Sequence, residues 1–179
     1  MSRLPEELHD VAIRLVHTCG DPTIVDGLSA SPDAVRSARA ALAAGARILV
    51  DVQMVAAGIT RRFLRAGNEI ICTLNEADEL AGELGTTRSA AAVELWRPYL
   101  GGAVITIGNA PTALFHLLEL IALGGPSPAV ILGFPVGFVG AAESKAALAA
   151  QDRVPFVTLA GRRGGSALAA AAVNALAQP

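Results

Sequence analysis

Near the start of the chain, Leu8, Val11, Ala12, Leu15 and Val16 follow the i, i+3, i+4, i+7, i+8 spacing of one buried helical face. Leu4-Pro5-Glu6-Glu7 opens that helix, with proline at its first position and carboxylates in its first turn, and Gly20 closes it. After the Gly20-Asp21-Pro22 break, Ser31-Pro32-Asp33 starts a second helix that runs through Ala44 to Gly45. Residues 47–52 read as a mostly buried strand, 54–57 as a short helical piece ending at Gly58, and 69–74 as a second strand. Asn75 can cap a following helix, and Thr86 or Thr87 starts another that runs to Trp96. The second half is more regular. Strands at 103–107, 129–132 and 155–159 each pass through a glycine-bearing loop into a helix, the last of them alanine-rich. Short apolar strands alternating with helices predict an α/β fold: a doubly wound, mostly parallel sheet with helices on both faces, three-layer in architecture. No repeat, linker or low-complexity insert divides residues 1–179, so one domain is expected.

Composition narrows the class. The chain is 53% hydrophobic and 17% charged, which suits a sizeable core and excludes a disordered chain. A net charge of -2 and the lack of a basic run give no electrostatic case for nucleic acid. Mean hydropathy of +0.49 raises the question of a membrane. However, the longest apolar run, 129–142, falls short of the ~20 residues a spanning helix needs and holds Pro135 and three glycines. The segment Met1-Ser2-Arg3-Leu4-Pro5-Glu6-Glu7 lacks the basic-then-apolar order of a signal sequence. Cys19 and Cys72 form no CxxC, so reduced thiols and a cytoplasmic location are expected. A core-rich, weakly charged chain of this kind is expected to self-associate.

Two sets of residues are candidates for chemistry. Arg14 and His17 lie three apart, so at about 100° per residue they point the same way, roughly opposite the buried face. They bring a permanent cation and a group that ordinarily titrates near ~6.5 to one helix end. A solvated helix face with a C-cap would show the same pattern. The second set lies on the three strand-to-helix loops of the second half, which an open α/β sheet gathers at its carboxyl edge. Each loop runs into a helix N-terminus, where free N–H groups favour anions. Asn109 and Thr112, Ser144 and Lys145, and Arg162, Arg163 and Ser166 add donors there, and Gly137 lies in the middle loop. Three such turns together suit a ligand with several spread negative groups, although for any one loop the glycines need only permit a tight turn. Thr86-Thr87-Arg88-Ser89 is a further polar cluster at a helix start, of interest if it meets the same rim.

Known motifs are missing. Gly133-xxx-Gly137-xx-Gly140 is not GxGxxG, and no acidic residue ends the next strand to hold a ribose, which disfavours a nucleotide-dependent oxidoreductase. There is no GxxxxGK[ST] and no GxSxG. His9, His17 and His116 are scattered, giving no metal-ligand spacing, and His116 reads as packing within an apolar helix. A general acid/base candidate, His17, remains beside a polyanion-binding rim.

Six stretches carry a resemblance. They are Arg14-x-x-His17-x-x-Gly20, Gly67-Asn68-Glu69-x-Ile71-Cys72-Thr73-Leu74, Gly85-Thr86-Thr87-Arg88-Ser89-Ala90-Ala91, Gly108-Asn109-Ala110-Pro111-Thr112-Ala113-Leu114-Phe115, Gly133-Phe134-Pro135-Val136-Gly137-Phe138-Val139-Gly140-Ala141-Ala142-Glu143-Ser144-Lys145 and Gly161-Arg162-Arg163-Gly164-Gly165-Ser166. In this order and over essentially the whole chain they resemble the precorrin-8X methylmutase family. The resemblance implies a cofactor-free rearrangement in which a methyl group moves from carbon 11 to carbon 12 of precorrin-8X to give hydrogenobyrinate. In the anaerobic branch, cobalt-precorrin-8 gives cobyrinate. It further implies that His17 is the proton donor and acceptor, that Arg14 binds substrate, and that the enzyme is a homodimer with its site near the interface. Protonating the macrocycle would loosen the migrating bond, and withdrawing the proton would complete the conjugated product. Precorrins bear many acetate and propionate arms, which suits Thr87, Arg88, Asn109, Thr112, Gly137, Ser144, Lys145 and Arg162 as substrate-binding residues. Phe134 and Val136 are candidates to cover the flat ring. Family members usually begin with a further segment of Ile-Tyr-x-x-Ser-Phe type whose serine also meets substrate, and this chain starts after it. The alternative function is a non-catalytic tetrapyrrole-binding or carrier homologue, which would return precorrin-8X unchanged.

Overall fold

Six strands form one sheet in the order β1-β6-β5-β4-β2-β3. The strands are β1 (Leu28–Ala30), β2 (Ile48–Val50), β3 (Ile70–Ile71), β4 (Val104–Ile107), β5 (Val130–Gly133) and β6 (Phe156–Leu159). The four pairings among β2 to β6 are parallel, and β1 runs antiparallel to β6. The computed structural model describes residues 4–178, so the first three residues of the segment read for a targeting signal, and Pro179, lie outside the description.

Alternation along the buried strands divides the core in two. Val104, Val130, Leu132, Val157 and Leu159 face α1 (His9–Cys19), α2 (Ala34–Ala43), α3 (Gln53–Gly58) and α8 (Ser166–Leu176). Leu49, Ile105, Ile107, Ile131 and Phe156 face α5 (Arg88–Glu94), α6 (Pro111–Ala122) and α7 (Ala141–Ala150). The short α4 (Asp78–Leu84) packs on α5. The expected layers, a sheet between two sets of helices, are thus present.

The predicted first helix holds. A single 3-10 turn, Glu6–Leu8, leads into α1, whose Leu8, Val11, Ala12 and Leu15 side are buried against α8. Burying each large apolar side chain is worth roughly 1.5–3 kcal/mol. Gly20 ends the helix at φ +69, and its N–H donates to the Val16 carbonyl.

Three details differ from expectation. Residues 21–30, read as a break, hold a 3-10 turn (Pro22–Gly27) and the edge strand β1, which is too short to show an alternating pattern. Of 69–74 only Ile70–Ile71 is strand, because this is the half-buried edge beside β2 alone. Asn75 caps nothing: it lies in the 3-10 turn Leu74–Glu76, and α4 follows Ala77 with no side-chain cap. Thr87 does cap α5, its Oγ1 accepting from the Ala90 N–H at 3.2 Å.

Candidate functional site

The order of the sheet reverses between β2 and β4, and a crevice at such a switch point, at the strands' carboxyl ends, is where α/β sheets bind ligands. Here the protein fills it itself. Asp51, just past β2, is 2% exposed and accepts from the N–H groups of Gly108 (2.9 Å), Asn109 (2.8 Å) and Ala110 (2.8 Å). Burial pushes its carboxyl above the ordinary range, against the pull of the three N–H groups. Gly108 belongs to this packing, since a Cβ there would lie 2.7 Å from Ser166 Cα and 2.8 Å from Ala169 Cβ. The β4–α6 turn therefore does not offer an empty anion nest, and the expectation of three receptive turns is corrected to two. The sequence signal for Asp51 was its isolation as the charge in an apolar strand.

Beyond that carboxylate the rim holds the predicted hydroxyls. Thr87 Oγ1 donates to Thr112 Oγ1 at 3.0 Å, which brings the start of α5 to the start of α6 and leaves the Thr112 O–H free to donate outward. Both threonines and Asn109 are exposed. The Arg88 guanidinium, also exposed, lies 3.4 Å from Asp78. Further back on these helices His116 Nε2 and Glu94 Oε1 are 2.5 Å apart, and Arg97 also pairs with Glu94. The Arg97 guanidinium, then His116, holds the Glu94 carboxyl below its usual range. His116 is thus half-buried in an ion pair, where packing alone had been expected.

Two predicted rim donors turn inward. Ser144 is fully buried and its hydroxyl donates to the Ala141 carbonyl at 3.1 Å. Lys145 is 1% exposed, its Nζ donating to the Arg163 carbonyl; burial lowers its pKa from 10.5 to about 8. Helix α7 begins directly after Gly140, so these positions face the sheet rather than the helix's N-terminal opening. Neither reaches a ligand at the rim. Phe134, a candidate cover for the ring, is also fully buried.

The side chains that do face out from the β5–α7 loop are apolar. Val136 is 41%, Phe138 85% and Val139 89% exposed, around a half-buried Gly137. The guanidinium of Arg162, from the β6–α8 loop, sits 5.9 Å from the centroid of the Phe138 ring. The two loops lie closely against each other: the Gly165 N–H donates to the Phe134 carbonyl at 2.8 Å, and a Cβ on Gly164 would come within 2.4 Å of that oxygen. Sequence reading overlooked Phe138 and Val139 because exposure of an apolar loop residue has no periodic signature.

Arg14 and His17 are on the outer side of α1 as expected, His17 exposed and Arg14 partly so. With Asp10, Ile13, Ala175 and Gln178 they line a groove of about 350 Å³ between α1 and the end of α8. No rim residue lines this groove. The link between the two is Arg163, which bonds Asp21 and Thr23 immediately after α1. Among the described residues no cluster of three His, Cys, Asp or Glu could hold a metal, and no helix is long and apolar enough to cross a membrane.

Comparison with known proteins places this geometry. The family model described as precorrin-8X methylmutase matches residues 1–179. A precorrin-8X methylmutase of Pseudomonas aeruginosa is 62% identical over 99% of this chain and 86% of its own length. One from a Sinorhizobium species is 58% identical over 100% of this chain and 87% of its own. The crystal structure of precorrin-8x methyl mutase from Thermus thermophilus superposes with a TM-score of 0.90 at 39% identity, covering 98% of this chain and 85% of that one. Sheet order, rim and motifs thus converge, and the chain belongs to the precorrin-8X methylmutase family of intramolecular isomerases.

Proposed function

We propose that this chain, acting as one domain over residues 1–179, moves a methyl group from carbon 11 to carbon 12 of precorrin-8X to give hydrogenobyrinate, in cobalamin biosynthesis. The relatives at 62% and 58% identity carry precorrin-8X in their names, which favours the cobalt-free substrate over cobalt-precorrin-8. The observation that carries the reading is the pairing of Arg14 and His17 in an open groove, on a chain whose separate rim presents exposed apolar side chains next to Arg162. A flat conjugated macrocycle with carboxylate arms needs both kinds of surface.

In this reading His17, exposed and without a protein hydrogen-bond partner among the described residues, delivers a proton to the macrocycle. The added charge draws electrons from the ring and weakens the bond to the migrating methyl group. Carbon 11 loses that bond as carbon 12 gains it, and the proton returns to the imidazole as conjugation is restored. Atoms balance without an external acceptor, so no cofactor takes part. Arg14 holds a carboxylate arm beside His17, while Thr87, Arg88, Asn109, Thr112, Gly137 and Arg162 receive other arms and edges. Ser144 and Lys145 support the loops instead. Since groove and rim do not meet on one chain, a homodimer in which a second copy lays its rim over the groove is the arrangement this division favours.

The test is incubation of the purified protein with precorrin-8X and no additive. Conversion to hydrogenobyrinate, followed by the change in visible absorption, is the expected result; recovery of unchanged substrate from a tight complex would identify a carrier instead.

A further inference from the structure

Arg162 and Arg163 are neighbours in one loop but have different tasks. Arg162 reaches outward over Phe138, while Arg163 is spent on the protein. Its Nη1 donates to Asp21 Oδ2 at 2.8 Å and to Thr23 Oγ1 at 3.0 Å, and its Nη2 donates to the Thr23 carbonyl at 3.1 Å. Behind it, the Arg163 carbonyl receives the buried Lys145 ammonium, and the same loop is bonded to the β5–α7 loop through Gly165. One end of this connection is therefore fixed to the sheet, and the other grips the residues that follow α1.

The last turn of α1 needs such a grip. Its buried anchors end at Leu15; Val16 is half-buried, and His17, Thr18 and Cys19 are exposed. The carbonyls of a final helical turn lack intrahelical partners, so packing and sequence-local bonds hold it only weakly. What fixes its direction is the next segment: Gly20 in the left-handed conformation, then Asp21. Asp21 accepts from the Thr23 N–H (2.9 Å) and hydroxyl (2.7 Å) as well as from Arg163. These bonds, led by those from Thr23, hold the Asp21 carboxyl below its usual range. An isolated exposed ion pair would do little, but this is three bonds from one planar guanidinium onto a capped turn.

We propose that Arg163 is a positioning residue for His17: through Asp21 and Thr23 it sets where the last turn of α1 presents the imidazole. This rests on the reading that His17 moves the proton. A small displacement of a reacting group lowers turnover without a matching loss of binding, whereas removing a substrate cation does the reverse. The adjacent arginines should separate along that line.

Steady-state kinetics with precorrin-8X on Arg162→Ala, Arg163→Ala, Arg163→Lys and His17→Ala provide the test, with melting followed in parallel. Arg163→Ala should lower kcat roughly 10- to 100-fold with KM within about threefold, and millimolar guanidinium should restore part of the lost kcat. Arg163→Lys, which can replace only one of three bonds, should fall between; Arg162→Ala should chiefly raise KM. If Arg163→Ala does not fold, a lowered kcat at unchanged KM in Arg163→Lys and Asp21→Asn supports the proposal, and wild-type kcat in both overturns it. A raised KM with intact kcat in Arg163→Ala, or a lost kcat that guanidinium leaves untouched, overturns it as well. Should His17→Ala turn over normally, the acid/base reading itself fails; should it be inactive while Arg163→Ala behaves as wild type, only the positioning role falls.

Discussion

At the residue scale the molecule depends on a few buried polar groups that no motif announced. Asp51 replaces a ligand at the switch point of the sheet, and Asp51→Asn would set an amide N–H₂ or a weaker acceptor against three donors. We expect a loss of about 3 kcal/mol by urea denaturation, since hydrogen bonds to a buried charge are worth about 1.5–3 kcal/mol each and are only partly lost. Lys145 yields a pH dependence with a definite sign. Its pKa is about 8 in the folded chain against 10.5 ordinarily, so between these values the unfolded state binds a proton that the native state does not. Stability linked to this residue therefore rises with pH across that window. Wild type should gain on Lys145→Met from pH 8 to pH 10.5 by up to about 3 kcal/mol, measured by urea denaturation at each pH. The sequence showed that Arg14 and His17 share a face, because helical spacing fixes that. It did not show that Ser144 and Lys145 face inward, because a donor near a helix start points to the core or to the opening according to one position of register.

At the element scale the strand-to-helix joins decide the shape of the rim. Gly108 lets the end of β4 touch α8, and Gly108→Ala would push its Cβ to 2.8 Å from Val55 Cγ2 and closer still to Ser166. Destabilisation of about 1–3 kcal/mol is expected, as for overpacked cores, read as a lowered melting temperature. Thr87→Ala removes the cap of α5 together with the bond to Thr112, and should cost about 1 kcal/mol and weaken substrate binding. The long elements were legible because their apolar period is strong: α1, α2, α6 and the three strands of the second half fall where the pattern puts them. The edges were not. Strands β1 and β3 have three and two residues, so pairing with a neighbour distant in sequence, rather than local pattern, makes them strands.

For the molecule as a whole, the groove with Arg14 and His17 and the rim with Thr112 and Arg162 are separate surfaces of one chain, and a second copy is what would join them. A dimer at micromolar concentration is expected in sedimentation equilibrium, and a dilution that dissociates it should abolish turnover in parallel. Family membership was legible from motifs in order along the chain, whereas the division of groove from rim appears only in three dimensions. The central claim is that the imidazole of residue 17 carries the proton, and His17→Ala tests it most directly when methyl migration and binding of the corrin product are measured on the same preparation. The predicted result is loss of migration by a factor of about 100 or more, within the usual range for a general acid, with product affinity largely retained. Turnover within a few-fold of wild type would contradict it.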